Sequence, residues 1–157
     1  GYTQTTGFVD MVSHLKTEYY KNLLRSMIVY KRNGKTNLAK PIFMLSILYG
    51  IKDRSIIGNR IRLTEPLVNT YKAFFKKYSQ QPMTSPIYPY YYLKGEEFYY
   101  LIGSHYPKTP SAKFLRENVE YASLDDDLWQ LLQDEGARNE IKEAIISYFI
   151  EPIKELK

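Results

Sequence analysis

The run from Lys40 to Tyr49 constrains the chain more than any other. Ile42, Phe43, Met44, Leu45, Ile47, Leu48 and Tyr49 are interrupted only by Ser46. Wound into a helix, these side chains point in almost every direction, so the helix has no face to offer water and must be surrounded. Pro41 suits its first turn, where a backbone N–H has no intrahelical partner to lose. Lys40 therefore stands where a buried helix surfaces, at the positive end of the helix dipole. Backbone amides and a lysine both favour an anion there.

The remaining segments supply what surrounds it. A chain of 157 residues is long enough for one domain with a true core. The pattern predicts a mainly helical α+β fold: five or six helices around the buried central one, with a small antiparallel β-hairpin or sheet. Thr5 or Thr6 is a candidate cap for a first helix, whose inner face is read as Phe8, Val12, Leu15, Tyr19, Leu23, Met27 and Tyr30, ending near Tyr30. Lys31 to Asn37 is a polar turn with a glycine and three positive charges, either a solvated loop or an edge that touches phosphate. Asn59 to Leu63 alternates like a short strand. Thr64 caps a third helix with Pro66 in its first turn. Leu67, Val68, Tyr71, Phe74, Phe75 and Tyr78 face inward there, and Lys72, Lys76 and Lys77 face outward.

Toward the end, Ser111 caps a short helix through Asn118. Ser123 and Asp126 read as a capping box ahead of a helix that buries Leu124, Leu128, Leu131 and Leu132. Asp125, Asp126 and Asp127 then lie in a first turn, where the dipole accounts for them without a metal. A last helix from about Ala137 to Ile150 buries Ile141, Ile145, Tyr148 and Phe149, and Pro152 stops it.

Ser85 to Ile102 is the most unusual stretch. Pro86 and Pro89 predict an extended approach. Tyr90 to Leu93 and Phe98 to Ile102 read as strands about a Lys94-Gly95-Glu96-Glu97 turn, a β-hairpin. One of the two tyrosine sets, Tyr90 with Tyr92 or Tyr91, then packs inward. The Tyr88-Pro89 step offers two rings as a fixed apolar surface.

Composition narrows the chemistry. There are no cysteines, so neither a disulfide nor thiol catalysis is available, and a reducing, cytoplasmic setting is compatible. His14 and His105 lack carboxylate partners at metal-ligand spacing. Phosphate-binding glycine loops and a nucleophile elbow are absent. These absences predict a binding module without cofactor or metal, not an enzyme. No signal peptide or membrane span is read. A net charge of +5 suggests an acidic partner such as nucleic acid, and 16 tyrosines suggest a surface that binds something.

Three segments together resemble the sulfur-binding domain of McrA-type HNH restriction endonucleases. They are Ala39-Lys40-Pro41-Ile42-Phe43-Met44-Leu45, then Pro86-Ile87-Tyr88-Pro89 through Leu93 with the following Lys-Gly-Glu-Glu-Phe-Tyr, then Ser111 to Phe149. The first is similar to a basic-Pro-Leu-Leu-Leu helix opening, the second to a Tyr-Pro-Phe-x-x-Leu segment with its hairpin, in which Phe98 stands near a usual tryptophan. The resemblance implies a single DNA-binding domain over residues 1–157, with the HNH nuclease in the same or a partner chain. It implies recognition of double-stranded DNA in which sulfur replaces a non-bridging phosphate oxygen. The implied sulfur pocket maps to Tyr88, Pro89, Tyr92 and the stem of Lys40. Tyr92 stands where the family has a small residue: either its ring swings away and its hydroxyl meets DNA, or it fills the pocket. Lys40 replaces an arginine and keeps charge without the bidentate fork. Lys113 and Arg116 correspond to basic residues after the hairpin. From the residues themselves, Arg32, Lys35 and His105 are candidate phosphate contacts, and Asn37 (or Asn33) is a candidate base contact. The rival readings are a general DNA-binding module for unmodified or methylated DNA, and a tyrosine-rich protein-interaction module.

Overall fold

The computed structural model describes residues 2–155, with side chains described for 7–153. Helix α1 spans Tyr2–Arg25, α2 Ala39–Lys52, α3 Glu65–Tyr78, α4 Ile87–Tyr92, α5 Ala112–Asn118, α6 Asp126–Leu131, α7 Glu135–Ile145 and α8 Glu151–Glu155. Strands β1 (Lys31–Arg32) and β2 (Lys35–Thr36) form one antiparallel pair, and β3 (Tyr99–Gly103) and β4 (Val119–Leu124) form another. The mainly helical α+β expectation holds. Beside the central α2, five expected helices appear as α1, α3, α5, α6 and α7, with α4 and α8 in addition. Among the described residues no helix is long and apolar enough to cross a membrane.

α2 is the axis of the core. Ile42, Phe43, Met44 and Ile47 are completely buried, and only Tyr49 of the apolar run reaches solvent. α3 packs along α2, and α4 and α7 pack against other sides of it. The Phe43 ring meets Tyr71 of α3 edge-on at 5.8 Å and Tyr90 of α4 at 6.0 Å. α3 begins as expected, with the Thr64 hydroxyl accepting from the Leu67 amide and Pro66 in the first turn. Lys72, Lys76 and Lys77 lie on its exposed side. α5 also begins as expected, the Ser111 hydroxyl accepting from the Phe114 amide at 3.0 Å.

Several expectations are overturned by packing. α1 starts at Tyr2, so Thr5 and Thr6 lie within the helix, and it ends at Arg25 instead of near Tyr30. Its buried face is Thr17, Tyr20 and Leu24, turned toward α6 and α7, while Phe8, Leu15 and Tyr19 are exposed. Of the expected stripe Met27 is buried and Leu23 packs against the core, while its N-terminal part is left in solvent. Ser123 is a residue of β4, not a helix cap. Asp125 takes the cap position of α6 and uses its carboxylate to accept from the Tyr20 hydroxyl. Asp127 pairs with Lys16. Pro152 does not stop the last helix: a π-turn over Ile146–Ile150 carries α7 into α8, and Pro152 follows directly on that turn. Tyr148 is exposed on this segment.

Asn59 to Leu63 forms a single bridge instead of a strand. Ile61 exchanges backbone hydrogen bonds of 2.7 and 2.8 Å with Ala122 of β4. Asn59 completes the pairing with its side chain: its amide nitrogen donates to the Leu124 carbonyl and its oxygen accepts from the Leu124 N–H, each at 2.8 Å. The side chain thus stands in for a missing strand residue. Asn59→Ala leaves both Leu124 groups unpaired in a partly buried place, and an expected loss of about 2 kcal/mol follows. Urea unfolding measures it; an unchanged midpoint contradicts this role.

Candidate functional site

Tyr88, Pro89 and Tyr92 sit on α4, where a β-hairpin was expected. Both prolines are compatible with this helix. Pro86 is already in a helical conformation at the cap (φ −62°, ψ −17°), and Pro89 lies in the first turn, whose N–H groups have no intrahelical acceptor. The first helical bond runs from the Tyr90 amide to the Pro86 carbonyl at 3.1 Å. The following Leu93–Gly95 turn is 3-10 helix, and β3 then pairs with β4 instead of folding back on Tyr90 to Leu93. The tyrosine-rich hairpin does not form.

Helical spacing, not alternation, sorts the tyrosines. Tyr90 and Tyr91 are both buried. Tyr90 packs on Phe43 and donates to the Ile61 carbonyl at 2.8 Å, and the Tyr99 hydroxyl donates to the Tyr90 carbonyl at 2.6 Å. Tyr91 donates to the Pro107 carbonyl and lies against Tyr106 and Phe114, with the Lys94 ammonium 4.8 Å from its ring centre. Burial pushes the Tyr91 phenol up. Tyr88 and Tyr92, four residues apart, share the outer face. Their rings are stacked, 8° from parallel with centres 6.5 Å apart. The Tyr92 hydroxyl donates to the Lys108 carbonyl at 2.9 Å.

This outer face and the start of α2 enclose an open cavity of about 630 Å³. Lys40, Tyr88, Pro89, Tyr92 and Asn37 all line it, together with Tyr30, Thr84 and others. Lys40 does not present a free charge. Its ammonium is 3.1 Å from Glu96 Oε1, and the same oxygen accepts from the Ile28 amide at 2.9 Å. The side chains of Lys40 and Glu96 are 18% and 9% exposed, so the pair is largely withdrawn from water. The cavity entrance therefore combines aromatic and proline rings with a cation already answered by a carboxylate.

Asn37 is similarly engaged. Its oxygen accepts from the Ala39 amide at 2.8 Å, satisfying an orphan donor at the start of α2, and its nitrogen donates to Thr84 Oγ1 at 3.1 Å. Arg32 and Lys35 stand opposite each other on β1 and β2 and are exposed. They line a neighbouring hollow that shares Tyr30 and Asn37 with the main cavity. Asn33 and Gly34, with φ of 54° and 74°, close the two strands in a left-handed turn. The remaining residues stand apart. His105 is in the exposed loop after β3, and Lys113 and Arg116 are on α5, where Arg116 lines a cleft with Arg62 and Tyr90.

Sequence reasoning missed Glu96, Thr84 and the β1–β2 hairpin. Asn33-Gly34 is the short-range hairpin signal and was available. Nothing local marks Glu96, which lies 56 residues from Lys40.

The class this architecture defines is a small domain with a wrapped central helix, at whose start a proline-bearing helix and a β-hairpin wall an aromatic cavity. A solved structure has a similar fold: the sulfur binding domain of SprMcrA complexed with phosphorothioated DNA, with a TM-score of 0.64 over 89% of this chain and 91% of that one, at 18% identity. At that identity the likeness is one of fold. No family model and no curated protein matches the chain in sequence.

Proposed function

We propose that this chain is a non-catalytic domain that binds double-stranded DNA carrying phosphorothioate in its backbone, and that it targets a nuclease in the same or a partner chain. The observation that carries the reading is that Lys40, Tyr88, Pro89 and Tyr92, chosen from motifs about 50 residues apart, line one cavity at the start of α2. The fold it shares with a domain solved on phosphorothioated DNA supports it.

The physical basis is differential solvation. Sulfur is larger, softer and less strongly hydrated than the oxygen it replaces. Placed against Pro89 and the stacked Tyr88 and Tyr92 rings, it gives up little. A phosphate oxygen placed there surrenders its water against the rings and gains less from Lys40, whose charge Glu96 already balances. That difference is worth about 2 kcal/mol, or roughly thirtyfold in affinity. Arg32 and Lys35 on the hairpin beside the cavity supply the salt-sensitive attraction to the remaining phosphates. The hairpin lies beside the cavity, where Asn33 at its tip is suited to meet base edges.

The test is a titration of matched duplexes with and without one sulfur, at fixed salt. The expected result is tighter binding of the sulfur duplex by about thirtyfold, with the preference shrinking in Pro89→Gly and Lys40→Ala. Glu96→Gln releases the Lys40 charge, so it strengthens binding of the unmodified duplex and narrows the ratio. Equal affinity of the native protein for both duplexes defeats the reading and leaves general DNA binding or none.

A further inference from the structure

At the far end of α2 lies a second cleft, of about 210 Å³. Lys40 and Lys52 are about 18 Å apart along the helix at 1.5 Å per residue, so this cleft is separate from the cavity at the start. Its floor is apolar: Leu45 and Leu48 of α2 are buried beneath Tyr49 and Phe74. Tyr49 and Phe74 meet edge-on at 5.7 Å, and Phe74 meets Tyr78 at 5.8 Å. Tyr49 is 45% exposed, so part of its ring remains open to solvent.

The rim is cationic from three directions. Lys52 comes from the end of α2, Lys77 from α3, and Arg138 and Lys142 from α7. No carboxylate lines the cleft, and among the described residues none lies within ion-pair distance of these four. Arg138 is held in place by donating to the Leu132 carbonyl at 3.0 Å. Asn139 adds a side-chain amide able to donate and accept. Like charges crowded around an apolar floor repel one another, and an anion relieves that repulsion.

We infer that this cleft binds a nucleotide, one unpaired base with its phosphate. The base lies against Tyr49, the phosphate is met by Lys52, Lys77 and Lys142, and Asn139 meets the base edge. A duplex is a poor occupant, since stacked pairs present no ring to a concave aromatic floor. An acidic peptide satisfies the charges but leaves the exposed aromatic ring without a flat partner. Aromatic rings interleaved with cations are the means by which single strands are held without sequence preference. The inference does not rest on sulfur recognition at the other end of α2, and the two fail independently.

The test uses the 157-residue chain and a fluorescent oligothymidylate of about 12 nucleotides, read by anisotropy. Binding is expected. Tyr49→Ala and Lys142→Glu each weaken it by about tenfold. Lys72→Glu, the same charge change on α3 at an exposed position outside the cleft, weakens it by less than about twofold. Lys142 is exposed, so its variant keeps the test valid where Tyr49→Ala disturbs packing. Displacement of the strand by dTMP assigns the site to free nucleotides as well, and failure to displace assigns it to strands. The proposal is overturned if an abasic strand binds equally, if Lys72→Glu costs as much as Lys142→Glu, or if polyglutamate displaces the strand as readily as a second oligothymidylate. Absence of any binding also overturns it.

Discussion

Raising the pH above 10 is expected to unfold this protein within about one to two pH units, with buried tyrosines as the cause. Tyr71, Tyr90 and Tyr99 are almost wholly buried, and each hydroxyl donates to a backbone carbonyl: Thr84, Ile61 and Tyr90 respectively. Burial raises all three phenols above their ordinary range, Tyr90 to about 12. Ionisation there removes the donated hydrogen and turns an anion against a carbonyl in a dry setting. The unfolded chain loses these protons near pH 10, the folded chain only higher. Above pH 10 the unfolded state therefore binds fewer protons, and stability falls as pH rises. Each such tyrosine contributes a slope of about 1.4 kcal/mol per pH unit, so three remove about 4 kcal/mol by about pH 11. That rivals the whole stability of an ordinary domain. Below pH 10 the contribution is fully present. Far-ultraviolet circular dichroism and phenolate absorbance, followed together, check the expectation: the last phenols titrate only as the helices melt. Complete phenolate formation near pH 10 with the helices intact overturns it.

The same tyrosines show what the sequence reveals and what it hides. Thr64 and Ser111 were legible as caps because a cap bond spans three residues. α2 was legible because a helix apolar all round has only one place to go. The face of α1 was misread because periodicity says that a stripe exists, not that something covers it. Phe8, Leu15 and Tyr19 keep the rhythm and stand in water, while Tyr20 and Leu24, one position round, meet α6 and α7. α4 was misread because prolines were weighed as breakers without asking where in the helix they fall. Pro86 and Pro89 occupy positions that require no donor, and the β-prone tyrosines follow the packing demands of Phe43 and Ile61 instead of their own propensity.

Of the cavity, the sequence disclosed the parts and not their state. Lys40, Tyr88, Pro89 and Tyr92 do share one wall-to-wall space. The dipole argument expected Lys40 to await an anion. The fold instead gives it Glu96, whose carboxylate also holds the Ile28 amide. Pairings across long stretches of chain leave no local signature, and this one balances the Lys40 charge inside the cavity. The Tyr92 hydroxyl shows the same dependence, since it is anchored on the Lys108 carbonyl.

Phe43→Ala is expected to cost about 3–5 kcal/mol, the largest loss from any single truncation discussed. The ring is wholly buried in the second turn of α2 and meets Tyr71 of α3 and Tyr90 of α4 edge-on. Its removal opens a void behind α4, and that helix is the wall carrying Tyr88, Pro89 and Tyr92. Phe43→Leu keeps most of the volume and loses about 1.5 kcal/mol or less. For a chain of this length the alanine variant melts about 6–20 °C below the parent. Under conditions where it remains folded, the slackened α4 loses part of its grip on ring geometry, so any preference among DNA backbones narrows more in Phe43→Ala than in Phe43→Leu. Thermal melting and duplex titration of both variants test this together. An alanine variant that melts within about 2 °C of the parent removes Phe43 from the centre of the core. One that melts early yet keeps full discrimination separates the stability of α2 from the shape of the cavity.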